Sequence, residues 1–551
     1  MGLNTFGTSI KRREDPRLIT GRGNFTDNMK LPNMTFAYIV RSPHAHAKIA
    51  SIDTSRAKMH PGVVAVYTGK DFAALGSLPC GWTHPGLVVP KHPVVASEEV
   101  NYVGDPVAVV IAEDRYTARD AGDLIDVEYE TLPAIIDMEQ AVAGSEAART
   151  ARAHYEMHHP EEHRDHTRLG EEIELEVGAE VGREPETQSS FKKAHATLVH
   201  DEAAHNTAFT WSIGDRDKTE AAFKSAAHVT RLHIRNNRIH ASAVEPRASL
   251  ASYEPGNDQL TLWMTSQNPH IHRLLAAAFV LGIPEHKLRV VAPDVGGGFG
   301  SKIFLYNEEI IACWASKQLG VPVKWTSERR EAYLSDAHGR DHVTDASMAF
   351  DKDGKIAGLI VNTLANMGAY LSTFSTAIPT YLYGTLLSGQ YDIPTIYCHV
   401  FGVLTNTTPV DAVRGAGRPE ATFVVERLMD VGAREMNMDP LELRRKNFVK
   451  PNQFPYQTAV ALQYDSGNYE AALDKALKLV DYPNLRKQQA EGRKSGKYIG
   501  IGVSTYIEAC GLAPSSLVGS LGAGAGQWES ALVRVMPTGT VNVYTGSHAH
   551  G

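Results

Sequence analysis

After Val295 the chain runs through four glycines set around one aromatic residue, Gly296-Gly297-Gly298-Phe299-Gly300, a few positions past the β-branched pair Val290 and Val291. A β-branched apolar run of this kind predicts a strand. Glycines cluster where backbone must take positive φ, or approach another group closely, with no Cβ in the way. N–H groups released from a strand and turned in one direction make a cradle for an anion. A mobile linker is the bland alternative, but Phe299 inside the run and the strand before it favour a shaped loop. Neither common phosphate loop fits. A Walker loop ends Gly-Lys-Ser/Thr, whereas Gly300-Ser301-Lys302 interposes a serine. A Rossmann loop needs a third glycine where this chain has Ile303. Spacing alone specifies an anion or cofactor loop of open type.

The remaining chain supplies ordinary globular material around that loop. Its 551 residues are 43% hydrophobic and 21% charged, which suits about three or four domains. A net charge of −8 argues against nucleic acid or an anionic membrane as partners. Cys80, Cys313, Cys398 and Cys510 are far apart and form no C-x-x-C pair, so they suit a reducing compartment and build no zinc or iron–sulfur site. The first residues carry charge but no apolar core, and no apolar window is long enough to span a bilayer. A cytoplasmic location is expected.

Alternating strand and helix signals predict an α/β (α+β) chain in four parts. Residues 1–142 form a small N-terminal domain, with strands over Phe36–Val40, Val107–Ala112 and Val127–Glu130 and a helix over Tyr116–Ile125. His44 and His46 read as solvated turn histidines. Residues 143–195 hold an acidic, His-containing insertion. Its carboxylates from Glu156 to Glu186 face only Arg164, Arg168 and Arg183, so it is expected to be mobile. Residues 196–465 are compact again. Strands are expected at Leu260–Trp263 and Val321–Thr326, and helices at His270–Leu281 and Asn307–Leu319, stopped by Gly282 and Gly320. Asp439-Pro440 with Glu442 is a helix start. Residues 466–551 read as the opening strands of a further, unfinished domain, with a hairpin turning at Pro537-Thr538-Gly539.

A second loop answers the first. Val413-Arg414-Gly415-Ala416-Gly417-Arg418-Pro419 places two arginines and two glycines just before a helix, a strong anion-binding arrangement. Between the two loops, Ser266-Gln267-Asn268-Pro269 ends a strand with an amide side chain. With Asp15–Gly23, Arg41–His46 and Glu245-Pro246-Arg247, these stretches resemble, in order and spacing, the large molybdopterin-binding subunit of the molybdenum hydroxylases. That is the xanthine oxidase and aldehyde oxidoreductase family, and the likeness is strongest to its carbon monoxide dehydrogenase branch.

The resemblance implies an a/b hammerhead domain followed by molybdopterin-binding domains. It implies molybdenum held by a pterin dithiolene, expected as molybdopterin cytosine dinucleotide, with no protein ligand to the metal. It further implies a 2Fe-2S cluster on an iron–sulfur small subunit and FAD on a medium subunit, in a dimer of heterotrimers. Gln267 matches the glutamine facing the apical oxo group. Gly297, Gly298, Phe299 and Gly300 match the loop beside the metal, and Arg414, Gly415, Ala416 and Gly417 the second cofactor loop; Gln267, Phe299 and Arg414 are the expected catalytic contacts. Ile303, Tyr397 and Ala416 stand where purine oxidisers hold their substrate contacts, and Gly415 where carbon monoxide oxidisers place cysteine. An aldehyde or an uncharged aromatic heterocycle is the expected substrate. The family's Gln-Gly motif and general-base glutamate are expected beyond Gly551, so these residues alone are expected to be inactive. The competing reading is a cofactor-free interaction or assembly protein.

Overall fold

Two parallel strands decide where the glycine loop goes. In a computed structural model that describes residues 7–145, 197–509, 511–512, 515–523 and 529–551, the Val290–Val291 run lies in strand Leu288–Val291. That strand pairs in parallel with Gln259–Met264, with Trp263 opposite Val291. Parallel neighbours leave a sheet at the same end. The chain after Met264, carrying Gln267, and the chain after Val291, carrying the glycines, therefore emerge side by side.

The strands of the larger part of the chain are β1 (Thr35–Arg41), β2 (Ala47–Asp53), β3 (Val63–Thr68), β4 (Glu99–Val100), β5 (Pro106–Ala112), β6 (Asp126–Thr131), β7 (Thr207–Gly214), β8 (His228–Asn236), β9 (Ala248–Glu254), β10 (Gln259–Met264), β11 (Leu288–Val291), β12 (Val323–Thr326), β13 (His342–Phe350), β14 (Ile356–Gly368) and β15 (Ile396–Leu404). They form a seven-stranded sheet ordered β11-β10-β9-β12-β1-β5-β3, a five-stranded sheet ordered β7-β15-β14-β13-β8, and a small sheet β4-β2-β6. Thus β1 of the N-terminal part pairs in parallel with β12, at Thr35–Val323 and Phe36–Lys324. The large sheet runs across the boundary at which the sequence divides.

Burial explains why these segments were readable. Every residue of β5 is buried, which is why it is a continuous apolar run and not an alternating one. Helix Asn307–Leu319 ends on Gly320 at φ 67°, the left-handed cap that glycine takes without strain. Its Ile310, Ile311, Cys313 and Ala315 share one core with Leu262, Val323 and Trp325. Asp439 accepts the Leu441 N–H at 2.8 Å and starts helix Pro440–Asn447. The helix expected over His270–Leu281 begins at Pro269 but winds as a π-helix from Leu275 to Leu281. His46 corrects an expectation: it is buried, its Nδ1 bonded to the Pro133 carbonyl at 2.7 Å and its Nε2 to Glu99 at 2.9 Å. The acidic stretch from Glu156 to Glu186 lies outside the described residues. No described helix is long and apolar enough to cross a membrane.

Where the N-terminal part meets the five-stranded sheet, Asp105 is fully buried; Oδ2 accepts the Asn101 N–H at 3.1 Å and Oδ1 has no partner. Burial pushes its pKa up to about 7, against about 3.9 in an unfolded chain. The fold therefore favours the neutral acid, and the stability that this contributes is lost as pH rises from the unfolded value through the folded one. Asp105→Asn is expected to be increasingly stable relative to the parent between pH 4 and 7, with a constant gap above pH 8. Melting temperatures across that range check this, and a pH-independent gap would contradict it.

Candidate cofactor and substrate site

Gln267 and the glycine loop lock each other. The Gln267 N–H donates to the Lys302 carbonyl at 2.8 Å, and Gln267 Oε1 accepts the N–H groups of Gly300 at 3.0 Å and Lys302 at 3.3 Å. Its amide nitrogen has no hydrogen-bond partner among the described residues. Gly300 takes φ 107°, and a Cβ there would sit 2.1 Å from the Ala412 carbonyl oxygen. This is the close approach for which the loop needs glycine. Phe299, also left-handed at φ 54°, accepts the Arg414 N–H on its carbonyl at 2.9 Å. That bond ties the first loop to the second.

The second loop is held from below by a buried arginine. Arg340 donates to the carbonyls of Val413 at 3.0 Å and Arg414 at 2.7 Å, and pairs with buried Glu420 at 3.3 Å. Gly415 and Gly417 both take positive φ, as does Ala416 at 46°. Gly417 then caps helix Arg418–Glu435. Between the loops lies a cavity of about 660 Å³, lined by apolar Val244, Phe299, Ile303 and Ala416 and by polar Gln267 and Arg414. His550 and Gly551 also border it. The Gly297 N–H donates to the His550 carbonyl at 2.9 Å, and His550 Nε2 meets the Gln267 carbonyl at 3.3 Å.

Comparison with known proteins matches this geometry to a family. Residues 20–133 match the aldehyde oxidase and xanthine dehydrogenase a/b hammerhead domain, and residues 199–448 and 475–551 each match a molybdopterin cofactor-binding domain. The carbon monoxide dehydrogenase large chain of Hydrogenophaga pseudoflava is 38% identical over 98% of this chain and 62% of its own length. The chain belongs to the aldehyde oxidase and xanthine dehydrogenase family. The nicotine 6-hydroxylase large subunit of Paenarthrobacter nicotinovorans is 32% identical over 100% of this chain and 61% of its own. Among solved structures, quinoline 2-oxidoreductase from Pseudomonas putida 86 superposes with a TM-score of 0.85 at 32% identity, covering 100% of this chain and 63% of that one. The chain thus spans under two thirds of the length of these relatives.

The residues present suit the family's cofactor. A molybdopterin carries a phosphate and a pterin rich in acceptors, and wants N–H and guanidinium donors. The N–H groups of Gly298, Phe299 and Gly415 have no partner among the described residues, nor has the Arg414 guanidinium, which is exposed on the cavity wall. The Gln267 amide adds a further donor. A cradle of unpaired N–H groups beside an arginine is the donor set that an anionic cofactor requires.

Of the residues singled out in the sequence, Gln267, Gly297, Gly298, Phe299, Gly300, Ile303, Arg414, Gly415 and Ala416 all line the cavity. Gly417 stands behind it, where a Cβ would meet the Ile378 carbonyl oxygen at 2.5 Å. Tyr397 does not reach it, which corrects its assignment to the substrate pocket. It sits near the start of β15, on the face opposite buried Cys398 and Val400, with the Arg216 guanidinium 5.9 Å from its ring. The other end of β15, at Leu404, which leads on toward the second loop, is about 23 Å away at 3.3 Å per residue. Sequence reasoning missed Val244, Lys302, Arg340 and Glu420 as parts of the site. In the sequence, Lys302 enters only through the failed Walker match, and Glu245-Pro246-Arg247 only through the family resemblance.

Proposed function

We propose that this chain is the molybdenum-binding large subunit of a dehydrogenase that hydroxylates a C–H bond of an uncharged aromatic heterocycle, or an aldehyde, with water as the oxygen source. In this reading electrons leave through a 2Fe-2S subunit and an FAD subunit, in a dimer of heterotrimers, and the pterin is the cytosine dinucleotide. The observation that carries it is the meeting of the two loops around one cavity, lined by Gln267, Arg414, Phe299, Ile303, Val244 and Ala416.

When bound, the molybdenum–pterin group supplies the two-electron redox chemistry. The chain's own residues position and polarise. The N–H groups of Gly298, Phe299 and Gly415 and the Arg414 guanidinium hold the anionic cofactor. The Gln267 amide, fixed through its oxygen, presents N–H toward the reacting centre. The apolar residues of the lining suit a planar, uncharged ring. No Asp or Glu side chain lines the cavity among the described residues. The relatives named for quinoline and nicotine support a heterocycle. A cysteine at position 415, as in carbon monoxide oxidisers, finds no room, because a Cβ there would lie 2.3 Å from Pro419 Cγ.

Purified with its partner subunits from cells making molybdenum cofactor, the protein is expected to hold about one molybdenum and one pterin per chain. Elemental analysis and fluorescence of the released, oxidised pterin measure both. A complex devoid of molybdenum would overturn this function. Dye reduction with quinoline, nicotinate and benzaldehyde then distinguishes the substrate classes.

A further inference from the structure

Lys302 follows the glycine loop, and its side chain turns back beneath it. Lys302 is buried, with 2% of the residue exposed. Nζ donates to the Glu245 carbonyl at 2.8 Å and to Glu245 Oε2 at 3.0 Å. Glu245 Oε2 also accepts the Gly296 N–H at 2.7 Å, while the Glu245 N–H donates to the Gly296 carbonyl at 3.1 Å. The same carboxylate therefore holds the first glycine of the run and the lysine that ends it. The Lys302 backbone does the rest, since its N–H and C=O bracket Gln267 on both sides.

We propose that Lys302 is a positioning residue: its ion pair with Glu245 closes the glycine loop into a ring and thereby fixes the direction of the Gln267 amide and of the unpaired N–H groups in the cavity. The assignment rests on the cofactor-binding function proposed above. Neither Lys302 nor Glu245 borders the cavity, so both act through residues that do.

A buried ammonium paired at this distance is costly to break from either side, because the remaining charge is left without its partner. Burial lowers the Lys302 pKa while Glu245 opposes that shift, so the pair depends on its geometry staying closed. Glu245 Oε1 is buried and unpartnered, so without Lys302 the Gly296 N–H is the one partner left to the carboxylate among the described residues. With the lysine gone, the Gly296 N–H bond loses its charged backing and the loop opens at both ends. Residues that orient a metal site from behind typically carry about 10- to 100-fold of its affinity or activity.

The test uses the complex with its partner subunits, carrying Lys302→Met, Lys302→Arg or Glu245→Gln. Three readouts are taken: molybdenum per chain, the Mo(V) paramagnetic resonance signal after partial reduction, and amide hydrogen exchange of the peptide spanning 296–302. Lys302→Met is expected to lose about 10-fold or more of its molybdenum, to shift the signal of the fraction that remains, and to exchange faster at 296–302 but not in β9 or β10. Lys302→Arg, which keeps the charge, is expected to recover most of the signal. Wild-type exchange and an unshifted signal in Lys302→Met, even with a lower melting temperature, would overturn the proposal and leave Lys302 a packing residue. Should Lys302→Met fail to fold, Glu245→Gln decides, since it retains an acceptor for Gly296 and removes only the charge. A wild-type signal there overturns the proposal. A wild-type complex without molybdenum overturns the proposed function instead, and hydrogen exchange at 296–302 still decides the positioning role.

Discussion

Replacing Arg247 with methionine is expected to destabilise the chain by about 3–5 kcal/mol, the usual cost of removing one member of a buried ion cluster. Arg247 has 1% of its surface exposed and donates to Asp336 at 2.7 Å, Glu308 at 2.8 Å and Ser335 at 3.2 Å. Its guanidinium lies 3.6 Å over the Tyr306 ring and 5.1 Å from that of Trp325. Burial works against ionising Glu308, yet Arg247 and Arg41 together hold its pKa down at about 2. Without Arg247, Glu308 keeps only Arg41, at 2.6 Å, and Asp336 keeps only His240, at 3.6 Å. Two carboxylates would then be buried with inadequate compensation. The damage also reaches the cofactor loops, because Tyr306 donates its hydroxyl proton to the Ser301 carbonyl at 2.8 Å and accepts the Ala337 N–H at 3.1 Å. Urea unfolding measures the loss. Adding Glu308→Gln to the methionine variant should recover part of it, because one of the two under-compensated buried charges goes. A loss below about 1 kcal/mol in the single variant would show that Arg41 and His240 suffice to hold the cluster.

That cluster marks the limit of what could be read from the sequence. Arg247 was visible within Glu245-Pro246-Arg247, but its partners lie 61 to 89 residues further on, and no local pattern links them. The legible elements carry local physics: the capping Asp439, the left-handed stop at Gly320, the β-branched run of β11, and the hairpin Ala531–Val535 with Val541–Thr545. The two loops were legible for the same reason, since glycine clusters and paired arginines advertise themselves. What stayed hidden is assembly. Nothing in β1 announces that it pairs with β12, nearly three hundred positions away, or that residues 1–142 and the next part share a sheet. Tyr397 failed differently. A position matched by alignment carries no information on which face of a strand it occupies, and the alternation of β15 puts that ring on the face opposite buried Cys398 and Val400.

Gln267 is held by the backbone of the loop that it faces. Gly298 does not take positive φ, so it is glycine for space alone: a Cβ there would lie 2.3 Å from Gln267 Oε1, 2.4 Å from Cδ and 2.7 Å from Cγ. A glutamine on the surface would swing aside. This one is pinned by the N–H groups of Gly300 and Lys302 on its oxygen and cannot move without abandoning both. Gly298→Ala is therefore expected to expel the amide from the cavity, which is also what Gln267→Ala does by deletion. If the amide is a donor toward the reacting centre, each single substitution should lower kcat per bound molybdenum by about 100-fold, as loss of one preorganised donor does. The double variant should be no worse than either single one, because alanine at 267 leaves nothing for the new methyl group to displace. Independent effects would multiply to about 10⁴-fold. The cycle is measured by dye-coupled oxidation of quinoline, with rates normalised to metal content. A multiplicative result would mean that Gly298 serves the cofactor directly, through its own N–H or the room it leaves, and not by making space for Gln267.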